Sequence, residues 1–172
     1  MPKAPEPATS DDGFRGPQVC GIIGITYRQL DYWARTDLLR PSLADARGSG
    51  TQRRYSYQDL LELKVIKRLL DAGISLQSAR KAIAYIRENG VDDLASADLV
   101  ISGDSAVLAR SGEEIVDLLR GGQGVLNIVL SLGGVKDEVD AAVTELARER
   151  AGRSSAGRGA RAGATTRMAT GG

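Results

Sequence analysis

Apolar residues recur at helical spacing near the start of the chain and predict two short helices. The first runs from Gly16 or Pro17 to about Gly24, and the second from Tyr27 to about Thr36. Thr26 can cap the second helix by accepting a hydrogen bond from an amide of its first turn. The inward face of this helix is formed by Leu30, Trp33 and Ala34. Together these features predict a helix-turn-helix pair.

The opposite face of the second helix is basic and aromatic. Arg28, Asp31, Tyr32 and Arg35 lie on it, with Tyr27 and Gln29 beside them. A surface of this kind suits the major groove of DNA. Arginine can contact guanine or clamp a phosphate, and tyrosine hydroxyls can donate to phosphate oxygens. We therefore interpret residues 27–36 as a recognition helix.

A basic segment follows where a wing would be expected. The glycine-bearing loop from Ala44 to Gly50 suits a wing tip, and residues 53–55 are predicted to be extended. Arg53 and Arg54 are adjacent, so in an extended segment their side chains point to opposite faces. At least one of them is expected to reach the DNA backbone.

Two longer helices complete the first half of the pattern. Ser56 and Asp59 resemble a capping box that opens a helix to about Asp71, and Ser75 caps a further helix that ends near residues 89–90. The predicted inner positions are Leu60, Leu63, Ile66, Leu69 and Leu70 in the former helix, and Leu76, Ala79, Ile83 and Ile86 in the latter.

Beyond residue 91 the pattern becomes mixed. Residues 99–101 and 106–108 predict a β-hairpin, residues 111–120 a helix, and the apolar run 125–132 a buried strand rather than a helix. A final amphipathic helix is expected from about Val135 to Arg150. The expected organisation is a disordered leader (1–13), a DNA-binding domain (14–90), a small α/β domain for dimerisation or effector sensing (91–150) and a disordered Ala/Gly/Arg-rich tail (151–172).

Composition and charge restrict the function classes. The net charge of +1 is the sum of −2 over residues 1–13, +6 over residues 14–90, −8 over residues 91–147 and +5 over residues 148–172. Residues 14–90 are therefore the segment suited to a polyanion. The chain has no histidine and one cysteine, Cys20, which we interpret as a small core residue. We expect no metal site, no cofactor and no catalytic residues, because no nucleophile, base and orienting group stand at an interpretable spacing. No signal peptide or membrane-spanning run is evident, which predicts a cytoplasmic, nucleoid-associated protein.

Five motifs in order give the chain a resemblance to the MerR family of bacterial transcription regulators, closest to its compact, metal-free actinobacterial members. They are Gly24–Trp33, Leu38–Pro41, Arg53–Ser56, Asp59–Leu60 and Leu70–Leu76. The similarity covers about residues 15–90. It implies a mainly α fold, in which a winged helix-turn-helix domain precedes a smaller domain with a β-hairpin and helices.

The resemblance also implies a function. Members bind promoter DNA as homodimers at near-palindromic sites, and activators often distort the DNA. The residues expected to contact DNA are Thr26, Tyr27, Arg28, Gln29, Tyr32, Arg35, Arg53, Arg54 and Tyr55. RNA polymerase is a further candidate partner. Because Gly90 interrupts the region where the family has one long dimerisation helix, residues 91–150 could form the dimer contact instead. Two alternatives stay open: a protein-binding adaptor that retains the fold, and an architectural DNA-bending protein such as an excisionase.

Overall fold

The computed structural model describes residues 13–45, 51–89, 97–102, 105–109 and 127–159. Four predicted features lie wholly or almost wholly outside these ranges: the leader, the wing tip, the helix at 111–120 and the end of the tail. The described residues form helices α1 (Gly16–Ile23), α2 (Tyr27–Arg35), α3 (Tyr57–Asp71), α4 (Leu76–Asn89) and α5 (Leu132–Gly159), and strands β1 (Phe14–Arg15), β2 (Arg54–Tyr55), β3 (Asp98–Ser102), β4 (Ser105–Ala109) and β5 (Asn127–Ser131). The fold is mainly helical, as predicted, and the described strands form two small antiparallel sheets.

Helix α3 lies at the centre of the molecule. Leu60, Leu63, Ile66 and Leu69 of its predicted stripe are fully buried, and α3 packs against α1, α4, α5 and β2. The predicted capping box is present, since the Ser56 hydroxyl accepts from the Asp59 amide at 3.1 Å and Asp59 Oδ2 accepts from the Ser56 amide at 2.9 Å. Two predictions about inward faces need correction. Leu70 is only half-buried, and Leu76 is exposed because it is the first residue of α4 and stands at the edge of the core.

The first sheet was only partly predicted. Residues 54–55 are extended as expected, but their partner β1 was missed. Phe14 pairs with Tyr55 and Arg15 with Arg54. On its other side, Arg54 forms an isolated bridge with Ala44, in which the Arg54 amide donates to the Ala44 carbonyl at 2.8 Å. The bridge closes the base of the predicted wing.

The second sheet has the order β4-β3-β5, and both pairings are antiparallel. The predicted hairpin is confirmed, with Leu99 opposite Leu108. The apolar run before residue 132 is a strand, also as predicted, with Leu99 opposite Leu130. Its expected burial is wrong, because β5 is an edge strand in which Val129 is exposed and Leu130 is only half-buried. The centre of β3 is fully buried, and β4 packs against α4.

Helix α5 is longer than predicted, since it begins at Leu132 and continues to Gly159. The expectation of disorder is therefore wrong for residues 151–159. Alanine and arginine have high helix propensity, which favours continuation of the helix past Arg150. Val135, Val139 and Val143 are buried, and α5 packs on α1 and α3. Its valines belong to the same hydrophobic cluster as the core of residues 14–86, so the core is continuous across the boundary predicted near residue 90.

Candidate nucleic-acid interface

The turn between α1 and α2 is fixed by a left-handed glycine and a capped helix. Gly24 has a φ of 79°, and its amide donates to the Cys20 carbonyl at 2.9 Å. Ile25 is buried after the turn, which sets the angle at which the chain enters α2. A side chain at position 24 would be strained by this conformation.

Thr26 and Gln29 hold the start of α2. The Thr26 hydroxyl accepts from the Gln29 amide at 3.2 Å, while Gln29 Oε1 accepts from the Thr26 amide at 2.9 Å. The cap predicted for Thr26 is confirmed, and Gln29 completes a reciprocal capping box. Both side chains are exposed at the tip of the helix, but the oxygens of both are engaged in capping.

The two faces of α2 are separated as predicted. Leu30, Trp33 and Ala34 are 5% exposed or less, whereas Tyr27 and Tyr32 are 59% and 51% exposed. The side chain of Arg35 is 74% exposed. Arg28 is also exposed. The basic and aromatic face is therefore open to solvent, which contact with a duplex requires.

Tyr27 lies against the beginning of α1. A Cβ atom at Gly16 would stand 2.9 Å from Tyr27 Cε2, closer than real Cβ contacts allow. The absence of a side chain at position 16 thus lets the tyrosine ring settle over the first turn of α1. The Arg15 amide is engaged there too, since it donates to Gln18 Oε1 at 2.9 Å.

The wing residues do not all face outwards. Tyr55 is fully buried, which makes its predicted role in DNA contact wrong. Within the described residues its hydroxyl has no hydrogen-bond partner, and burial raises the pKa of the phenol to about 12. The neighbouring Arg54 is half-buried on the opposite side of the strand. Side chains alternate along β2, so Tyr55 points into the core while Arg54 lies on the opposite side, a pattern that two residues do not reveal from the sequence.

Arg53 is held by carboxylates. Its Nη1 donates to Asp31 Oδ1 at 2.7 Å, and its Nε lies 3.5 Å from Asp45 Oδ1. Asp31 also forms an ion pair with Arg35, at 2.8 Å from Nε. The hydrogen bond from Arg53 is the main cause that lowers the pKa of Asp31. The recognition helix and the base of the wing are thereby joined through one carboxylate.

An open groove of about 620 Å³ runs between α2, the start of α1 and the segment that leads into β2. Its polar lining includes Arg15, Asp31, Arg35, Thr51, Gln52 and Arg53. Arg15 was missed in the sequence analysis, because a strand of only two residues carries no recognisable periodicity. With three arginines against one aspartate, the lining of the groove is basic and suited to a phosphate backbone.

Comparison with known proteins agrees with this geometry. Residues 14–86 match the family described as "MerR HTH family regulatory protein". This segment therefore matches the MerR family. The resemblance found in the sequence is thus confirmed, and the match spans both helices of the helix-turn-helix, the base of the wing, α3 and most of α4.

Relatives are found in mycobacteria. Proteins called "uncharacterized HTH-type transcriptional regulator" in Mycobacterium tuberculosis and Mycobacterium bovis are each 50% identical to this chain over 149 residues. The aligned region covers 86% of this chain and 65% of each relative, so the chain spans less than two thirds of the length of the relatives it matches. Across the described ranges, no helix combines the length and the apolar character needed to cross a bilayer.

Proposed function

We propose that this MerR-family chain is a DNA-binding transcription regulator. The observation that carries the proposal is the open face formed by Tyr27, Arg28, Tyr32 and Arg35, which adjoins a basic groove within the family's own helix-turn-helix segment. The relatives' description as transcriptional regulators supports the same conclusion. A duplex would receive α2 in its major groove, while the groove arginines meet the adjacent backbone.

The exposed side chains have different roles in this proposal. Arg28 contacts a base edge or a phosphate, and the hydroxyls of Tyr27 and Tyr32 donate to phosphate oxygens. Arg15, Arg35 and Arg54 contribute charge along the backbone. Thr26 and Gln29 orient the helix, because their oxygens are already engaged in the cap.

The assembly is also a proposal. The protein binds as a homodimer to a near-palindromic promoter site and distorts it, as the family resemblance implies. RNA polymerase is the candidate partner at such a promoter. A cytoplasmic, nucleoid-associated location follows from this function. No described contact favours one surface for the dimer over another.

Selection of binding sites from random duplexes tests the proposal directly. The full chain should enrich a defined motif, and mobility shift on that motif should then give a preference over scrambled duplex of ~10³-fold or more. Enrichment of no motif, or equal affinity for the enriched and the scrambled duplex, would overturn specific regulation and leave the architectural or adaptor alternatives.

Arg28 provides the residue-level test. Arg28→Ala should weaken binding to the selected site by about 1–3 kcal/mol, because a good arginine–base contact is worth that much. Arg150→Ala removes the same charge from an exposed position on α5 and should change binding far less. If the two variants lose the same affinity, Arg28 makes no specific contact.

A further inference from the structure

The recognition face contains one acid whose position sets it apart from an ordinary surface carboxylate. Asp31 lies on α2 between Arg35, one turn along the same helix, and Arg53, which comes from the segment before β2. Its two oxygens are divided between these partners, with Oδ1 2.7 Å from Arg53 Nη1 and Oδ2 2.8 Å from Arg35 Nε. A single carboxylate thus holds two cations that could otherwise meet phosphates.

The Arg53 side of this arrangement is the more enclosed. The side chains of Arg53 and Asp31 are 16% and 26% exposed, whereas that of Arg35 is 74% exposed. Arg53 also lies near Asp45, directly after the bridge between Ala44 and Arg54. Its guanidinium therefore connects the recognition helix with both chain segments at the base of the wing.

We infer that Asp31 is a specificity-determining positioning residue, which fixes Arg53 and Arg35 against the recognition helix and limits the binding of duplex of arbitrary sequence. This inference rests on the proposed function. Non-specific affinity depends on how many phosphates a protein neutralises, while specific affinity depends on the geometry of the base contacts. Asp31 acts on both, because it offsets positive charge and holds the wing base in register with α2.

Asp31→Asn tests the role of the charge in both affinities, since the amide is nearly isosteric with the carboxylate but uncharged. Affinity for scrambled duplex should rise roughly fivefold to tenfold at about 0.1 M salt, and the slope of log K against log salt should steepen by about one. Affinity for the selected duplex should rise less or fall. The ratio of selected to scrambled affinity should therefore drop, by about fivefold to tenfold where affinity for the selected duplex is unchanged.

Asp71→Asn is the matched control, because it makes the same change of charge on α3, where Asp71 pairs with Lys67 at 2.5 Å outside the groove. It should leave the ratio almost unchanged. A second variant, Asp31→Glu, keeps the charge but lengthens the side chain. It should keep affinity for scrambled duplex low and reduce affinity for the selected duplex. Melting temperatures of all three variants identify any loss of folding, and Asp31→Glu carries the test if Asp31→Asn does not fold.

The outcomes distinguish this inference from the proposed function. If the unmodified protein prefers its selected duplex and Asp31→Asn retains the same ratio, or changes it no more than Asp71→Asn does, the role of Asp31 is wrong and regulation stands. If Asp31→Glu behaves like the unmodified protein on both duplexes, the positioning role is wrong. If the unmodified protein has no preference among duplexes, the proposed function itself fails.

Discussion

At the scale of single residues, Tyr55 is the clearest case of a polar group enclosed by the core. Its ring is fully buried and its hydroxyl has no hydrogen-bond partner among the described residues. Tyr55→Phe should therefore raise the free energy of unfolding at pH 7 by about 1 kcal/mol, because it removes an unsatisfied buried hydroxyl. Urea unfolding measures the change.

The raised pKa of Tyr55 also makes the stability of the protein depend on pH. The pKa of Tyr55 is raised to about 12, so above pH 10 an unfolded phenol loses a proton that the folded one retains. Stability of the unmodified protein must then fall as the pH rises from 10 towards 12. The advantage of Tyr55→Phe should be about 1.4 kcal/mol larger at pH 11 than at pH 7. As a control, Tyr27→Phe at an exposed position should change the free energy of unfolding little at pH 7. A stability advantage of Tyr55→Phe that does not grow with pH would contradict the raised pKa of Tyr55.

Residue roles were predictable where a periodic pattern determined them. The inward Trp33 and the outward Tyr32 were both placed correctly, because helical spacing separates the two faces of α2. Tyr55 was misplaced because two residues of strand show no alternation by themselves. The engagement of Arg53 with Asp31 was not predictable, since the partners lie far apart along the chain and meet only through the tertiary fold.

At the scale of elements, the turn after α2 depends on a residue with unusual backbone geometry. Asp37 has a φ of 56°, in the left-handed region, while the Leu38 amide donates to the Trp33 carbonyl at 3.0 Å. The free energy of unfolding should be about 1 kcal/mol higher for Asp37→Gly than for Asp37→Ala, because only glycine adopts this region without a Cβ penalty. The two variants lose the same exposed ion pair with Arg40, so their difference isolates the backbone term. Chemical denaturation yielding alanine as the more stable variant would show that the turn relaxes out of this conformation.

Elements with strong local signals were predicted well, and those defined by distant pairing were not. The caps at Thr26 and Ser56 fix the starts of α2 and α3, and both were recognised from neighbouring residues alone. By contrast, β1 is defined by the antiparallel pairing of Phe14 with Tyr55, which lies far from it in the sequence. The end of α5 was also missed, because the small residues that suggested disorder include good helix formers.

At the scale of the whole molecule, α5 joins the second half of the chain to the first. Glu138 pairs with Lys64 at 3.1 Å and also with Arg68, and the Tyr57 hydroxyl donates to Asp140. These contacts tie α5 to α3. The change of charge and pattern near residue 91 suggested a separate domain, but sequence pattern does not reveal which apolar stripes pack together. The apolar face of this amphipathic helix packs against α1 and α3.

A continuous core predicts one cooperative unfolding transition for the chain. Val139 is fully buried on α5, so Val139→Ala should destabilise the protein by about 1–3 kcal/mol through lost burial and the cavity that remains. Because α5 shares the core with α3, the loss should shift a single transition when helix content and the fluorescence of Trp33 on α2 are followed together. Val129→Ala, at a position 42% exposed on β5, removes the same atoms and should shift it much less. Two transitions, with the Trp33 signal insensitive to Val139→Ala, would mean instead that residues 14–90 fold as a unit of their own.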